Sequence, residues 1–404
     1  MCVAPCVPPE LPARPFAESS ELVECIGADR FDRHSRRRVL GGLIGLSWLG
    51  QAAGLPLISA LFPVAKIALL LLLILWFGSV RLPRSPPARD VSGSTPAERR
   101  RTTRRKVPMI KPRRIGHATF ETPDLEKAIA YYEKFMGLIV AEREKDRAFL
   151  ASKVGPLAIQ LNKADRAHCI KLSFEVAPNS DFGELARELS KDGVRSELRN
   201  DSIPGIGQVL SFQDDKGTTI ELFKDWSYLG KHEQVAGIGP LKLGHVAFYT
   251  PDIQRTVAFY EKVLGFRVSD WIGDFFCFMR CNSDHHTVNF FTGPNAKLHH
   301  IAFELKDFMH LQNSCELMGQ KQVPIIWGPL RHGPGHNIAT YHRNQDEQVV
   351  EFFCELDKMT DEELGYFEPR PWHHDTPQRP KLWTPGKTTV WGPTPEDDFH
   401  RTQV

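Results

Sequence analysis

The stretch Leu243-Gly244-His245-Val246-Ala247-Phe248-Tyr249-Thr250-Pro251-Asp252 has a near copy earlier in this chain of 404 residues. That copy, Ile115-Gly116-His117-Ala118-Thr119-Phe120-Glu121-Thr122-Pro123-Asp124, lies 128 residues upstream. Two more landmarks recur. Lys171-Leu172-Ser173-Phe174-Glu175-Val176 matches His300-Ile301-Ala302-Phe303-Glu304-Leu305 at an offset of 129, and Ile220-Glu221-Leu222-Phe223 matches Val350-Glu351-Phe352-Phe353 at 130. A nearly constant offset over three landmarks indicates a duplicated domain. Each copy reads as a strand, a Thr-Pro-Asp turn, an amphipathic helix and several strands. In the second copy Ile253, Val257, Tyr260 and Leu264 recur at helical spacing, with Gly265 as a candidate C-cap. The opening pattern returns 55 residues later, from His245 to His300, so each unit is expected to hold two half-modules. The predicted fold class is α+β, built of tandem βαβββ modules, with units at 112–230 and 240–365 and a tail at 366–404.

Residues 1–108 have a different character. They hold 16 Lys/Arg against 8 Asp/Glu, whereas the rest holds 35 against 41. The overall charge of +2 gives no case for nucleic acid, and no basic groove is apparent in the repeats. Leu55 to Val80 carries one charge, Lys66, and is long enough to span a bilayer. Basic clusters flank it, the denser one C-terminal, which favours a cytoplasmic body. Residues 81–108 form a Pro/Ser/Arg linker expected to be disordered. Met109 stands just before the first repeat, so two readings stay open: a membrane anchor, or upstream sequence read through from an early start codon. Five of the eight cysteines lie in the body, an odd count that argues against a disulfide framework. Cys277 and Cys281 sit in an aromatic strand-like run and read as buried thiols rather than a metal pair.

Three residues carry the chemistry. His245, His300 and Glu351 each put a metal-capable side chain inside an apolar strand pattern, where an unpaired polar group is costly. Strand alternation places His245 with Ala247, opposite Val246 and Phe248, and His300 with Ala302, opposite Ile301 and Phe303. The apolar faces suit packing against helices. The His/Ala faces suit a cavity floor. Two histidines and a carboxylate form the ligand set of a non-haem Fe(II) site with open positions.

The repeat, the ligand strands, Asp284-His285-His286-Thr287-Val288-Asn289-Phe290, and Arg331-His332-Gly333-Pro334-Gly335-His336-Asn337 together resemble the vicinal oxygen chelate superfamily. Within it, residues 112–385 are similar to the two-domain extradiol ring-cleavage dioxygenases of the catechol 2,3-dioxygenase type. Tyr341 stands nine residues after His332 and ten before Glu351, and Pro371-Trp372-His373 and Arg379-Pro380-Lys381 resemble that family's tail. The resemblance implies a ring-opening enzyme of aromatic catabolism that takes a small catecholic substrate and O₂ at Fe(II), with Mn(II) as the alternative ion. It implies His245, His300 and Glu351 as metal ligands and His286 as acid/base, with His285 as rival. His332 would hydrogen-bond the oxygen species and Tyr341 the ligating substrate oxygen. It further implies a homo-oligomer. His336, His373 and His374 read as surface or loop histidines. Phe248, Trp271, Phe278 and Trp327 are candidates for the aromatic pocket, with at least two expected in the core.

The first unit keeps His117 and Glu221 but has Lys171 at the position of His300 and Ser211 at that of Tyr341. An ammonium there repels a cation, so this unit is expected to be metal-free. The competing readings are a glyoxalase-like isomerase, whose sites generally use four ligands with two carboxylates, and a non-catalytic binding protein of the same fold, which needs no intact ligand set.

Overall fold

Aspartates open all four α-helices found among the described residues. Asp124, Asp181, Asp252 and Asp307 each accept a hydrogen bond from the backbone N–H three residues on, at 2.9–3.0 Å. Each satisfies one of the orphan donors of a first helical turn. The Thr-Pro-Asp turns are therefore helix starts. The computed structural model describes residues 110–200, 203–229, 236–368, 378–396 and 399. The candidate span at 55–80, the linker, Pro371-Trp372-His373 and His374 lie outside the described residues. Among the described residues no helix is long and apolar enough to cross a membrane.

Two sheets follow the repeat. The first has eight strands. β1 (Pro112–Thr122) leads through α1 (Leu125–Ala130), which runs on into a π-helical turn at Tyr131–Phe135, to β2 (Ile139–Arg143), β3 (Arg147–Ala151) and β4 (Leu157–Lys163). The same plan recurs in β5 (His168–Val176), α2 (Phe182–Lys191), β6 (Ser196–Arg199), β7 (Val209–Gln213) and β8 (Thr219–Phe223). In the second sheet β9 (Lys242–Thr250), α3 (Ile253–Lys262), β10 (Arg267–Ile272), β11 (Phe276–Arg280) and β12 (Val288–Thr292) make one module. A second module contains β13 (Lys297–Glu304), α4 (Phe308–Gln320), β14 (Trp327–His332), β15 (Ile338–Arg343) and β16 (Val349–Cys354). Four βαβββ modules thus form two α+β domains, as the repeat predicts. The tail adds β17 (Lys381–Trp383) beside β10 and β18 (Thr389–Trp391) beside β14, one at each edge of the second sheet.

Module opening strands meet at the centre of each sheet. β9 pairs antiparallel with β13, and β13 pairs parallel with β16. Val246, Phe248, Ile301, Phe303, Val350 and Phe352 point into the main core with the helices. Ala302 and Phe353 belong to a separate cluster on the opposite face. The predicted strand phase therefore holds. In α3, Ile253, Thr256, Val257 and Tyr260 are buried, and Gly265 follows at φ 70°.

The glycine before each opening histidine has a packing cause. A Cβ on Gly244 would lie 2.4 Å from the Phe353 ring, and one on Gly116 would lie 2.3 Å from the Phe223 ring. Phe353 also packs against His245 at 5.0 Å between ring centroids. Either glycine to alanine is expected to cost about 1–3 kcal/mol through overpacking, read by denaturant melts. Only Gly244→Ala is expected also to lower bound metal, because only there does the displaced ring lean on the candidate ligand set.

Candidate metal centre

Residue Ala302 organises the site. It is the register partner of His245 on one neighbouring strand and of Glu351 on the other. His300 lies two residues earlier on the same strand face. The three side chains converge: His245 Nε2 is 3.1 Å from His300 Nε2 and 3.1 Å from Glu351 Oε2, and His300 Nε2 is 3.2 Å from Glu351 Oε2. They are 1%, 5% and 1% exposed. Metal bonds of about 2.1 Å meeting near right angles put donor atoms about 3 Å apart, so this triangle fits one octahedral face of a divalent ion. Burial alone would raise the Glu351 carboxyl, but the two imidazoles beside it hold it well below the usual range. Asn337 Nδ2 donates to its second oxygen, Oε1, at 2.9 Å.

The other sequence-predicted residues surround the open side of this triangle. A cavity of about 280 Å³ is lined by His245, His286, His300, His332, Tyr341 and Glu351 together with aromatic side chains. The His286 ring lies 4.3 Å from that of His245, and burial pushes its pKa well below the ordinary value. His332 Nε2 and the Tyr341 hydroxyl are 2.7 Å apart. Burial lowers His332 to about 4 and raises the Tyr341 phenol, with Glu351 raising it further. His285 turns away from the cavity toward Asp270, with Nε2 3.1 Å from Oδ2. Both histidines precede β12 in irregular chain, so the expected strand over Asp284–Phe290 begins only at Val288.

Three other expectations are corrected or resolved. His336 is buried, not superficial; its Nδ1 contacts the Asp357 carboxylate, which anchors the loop after β14. Of the four aromatic candidates, Phe278 and Trp327 line the cavity, whereas Phe248 is core and Trp271 packs against the core. Cys277 and Cys281 form no disulfide; burial raises both thiols, Cys281 to about 12. Sequence reasoning assigned no role to Asn337, His299, Asp270 or Phe399. His299 stacks on Phe291 at 4.3 Å and 6°, and Phe399 packs on Trp327 and Tyr341. Their contacts span long sequence separations and leave no local pattern.

The equivalent place in the first sheet has another solution. Ser173 stands in register with His117 and Glu221, as Ala302 does with His245 and Glu351. Its hydroxyl lies 3.0 Å from His117 Nε2 and donates to Glu221 Oε2 at 2.9 Å. Lys171 Nζ and Arg199 Nη2 reach Glu221 Oε1 at 2.9 and 2.5 Å. Two fixed cations and a hydroxyl satisfy the carboxylate.

The sequence profile described as the Glyoxalase/Bleomycin resistance protein/Dioxygenase superfamily matches residues 114–222 and 242–352. A metapyrocatechase of Pseudomonas sp. (strain CF600) is 26% identical over 262 residues, covering 60% of this chain and 85% of that protein. The Mn(II)-bound glyoxalase from Novosphingobium aromaticivorans superimposes with a TM-score of 0.62 at 26% identity, covering 72% of this chain and 94% of its own. An extradiol ring-cleaving dioxygenase from B. fuscum gives 0.62 at 23% identity, covering 73% and 83%.

Iron loading of purified variants, followed by metal analysis, tests the triangle. His300→Ala should lose bound iron, whereas His117→Ala should retain it. Ala302→Ser, which copies the first sheet, should weaken iron retention because a hydroxyl there bridges His245 and Glu351; unchanged retention would show that Ser173 has no bearing on the first-sheet site.

Proposed function

The chain belongs to the glyoxalase/bleomycin resistance protein/dioxygenase superfamily, and on that footing we propose that it is an extradiol dioxygenase. It opens a catecholic ring with O₂ at one divalent ion per chain, Fe(II) or else Mn(II), held by His245, His300 and Glu351. The observation that carries this reading is the buried triangle of donors whose open side faces His286, His332 and Tyr341 in one cavity. When bound, the metal supplies a redox-active Lewis acid at which substrate oxygens and O₂ meet. The metapyrocatechase and the extradiol ring-cleaving dioxygenase among its relatives support the same chemistry.

The chain's own groups then have definite tasks. His286, kept neutral by burial, accepts a proton from a catechol hydroxyl and returns it later in the reaction. Tyr341, kept protonated, donates its O–H to a substrate oxygen, and His332 orients it through their 2.7 Å contact. Asn337 holds the Glu351 carboxylate in one orientation. Lys171 and Ser173 leave the first domain as scaffold. A glyoxalase-like isomerase is the second reading, favoured by the Mn(II)-bound neighbour. Among the described residues, the metal-capable group contains one carboxylate rather than two, which favours ring opening.

Lining residues also point to a substrate class. Ile272, Phe275, Phe276, Phe278 and Phe291 line the cavity, and among the described residues the lining has no Lys or Arg. A carboxylated catechol would bury its charge unpaired there. The substrate is therefore a catechol with an uncharged, apolar substituent. After anaerobic Fe(II) reconstitution and exposure to O₂, alkyl- or aryl-catechols should give a yellow ring-fission product. Their kcat/KM should exceed that of carboxylated catechols by about tenfold or more. The proposal fails if no catechol yields product and none perturbs the metal's spectrum.

A further inference from the structure

We infer that Asp270 and His285 are positioning residues that set which ring nitrogen His286 offers to the cavity. The kinetic part of the inference rests on the ring-opening reading; the structural part does not. His285 and His286 are adjacent, with rings at 90° and their Nδ1 atoms 3.0 Å apart. One of those nitrogens carries the proton, and the hydrogen-bond network decides which. His285 Nε2 lies 3.1 Å from Asp270 Oδ2. An ionised carboxylate only accepts, so His285 donates from Nε2. If His285 carries a single N–H, that leaves its Nδ1 as an acceptor. His286 must then donate from Nδ1, and its Nε2 lone pair remains for the cavity that the ring lines.

Two further contacts hold this direction. The Lys381 backbone N–H donates to Asp270 Oδ1 at 2.9 Å, and the Trp383 indole N–H donates to Oδ2 at 2.7 Å. Asp270 is thus surrounded by donors and keeps its role as acceptor. Gly335, at φ 74°, closes over the pair: a Cβ there would lie 3.1 Å from His285 Nδ1 and 3.3 Å from His286 Cε1. The C-terminal tail, through β17, therefore takes part in defining the candidate acid/base.

Asp270→Asn in a Trp383→Phe background tests the chain of donors: with the indole N–H gone, the amide oxygen can face the Lys381 N–H while its NH₂ turns toward His285 and reverses every bond. Long-range ¹⁵N spectra of histidine-labelled full-length protein without added metal, with His286 assigned from His286→Gln, should show Nδ1–H in the wild type and in Trp383→Phe, and Nε2–H in the double variant. On a catechol that gives ring-fission product, the double variant should lower kcat about 100-fold relative to Trp383→Phe, within the range of a general acid–base contribution. KM and iron content should stay unchanged. The inference is overturned if wild-type His286 carries Nε2–H, if the double variant keeps the wild-type tautomer, or if it turns over as fast as Trp383→Phe. If the wild type opens no catechol, the ring-opening reading fails and the ¹⁵N spectra alone decide the inference.

Discussion

The register of three central strands is the constraint on which the site depends. Ala302 faces His245 across one ladder and Glu351 across the next. A slip of one residue in either ladder would turn a donor into the helix-packed core. The side chain between them must also be small, because the convergence point lies above it. Burying two imidazoles and a carboxylate in a sheet face is costly without a partner. Placing them at the sheet centre, where both module opening strands meet, gives each donor two paired neighbours and leaves little freedom to relax the geometry.

The two domains answer the same cost differently. In the first, Lys171 and Arg199 bring fixed cations to Glu221, and Ser173 bridges it to His117. Burial lowers His117 to about 4, so the imidazole there stays neutral. In the second, Glu351 faces two histidines and an amide, and the triangle retains capacity for an external cation. The domains are also locked together. Asp214, at the turn after β7, accepts from Tyr260 Oη at 3.0 Å, and Lys216 of the same turn lies 4.4 Å from the centre of the Phe248 ring. In return Tyr131 Oη contacts His342 Nε2 at 2.7 Å. Phe248 lies three residues beyond His245, so the first domain braces the strand that carries the first donor.

Much of this was legible in the sequence because repetition made it so. The constant offset located the domains, strand alternation separated the apolar face from the donor face, and Lys171 marked the domain whose donor set is interrupted. Local patterns failed where local structure was irregular. His285 and His286 lie outside the strand that was expected to orient them. His336 reads from the sequence as a surface or loop histidine; it does lie in the loop after β14, but Asp357 draws it inside. Asp270 is 15 residues from His285 and 111 from Lys381, and no periodicity connects such positions.

The tail explains why the two cavities differ beyond their donors. β17 and β18 extend the second sheet at opposite edges, and Phe399 fills space against Trp327, Tyr341 and His299. Among the described residues the first sheet ends at β2 and β6 and gains no such edges. Duplication alone supplies two equivalent floors. Chain added after the repeat lines one of them through Gly386, Thr388, Thr389, Thr394, Pro395 and Phe399, and β17 also supplies two of the donors that hold Asp270. The cavity wall and the candidate acid/base network are then linked through one segment, because the chain that follows β17 lines the cavity while β17 itself holds Asp270.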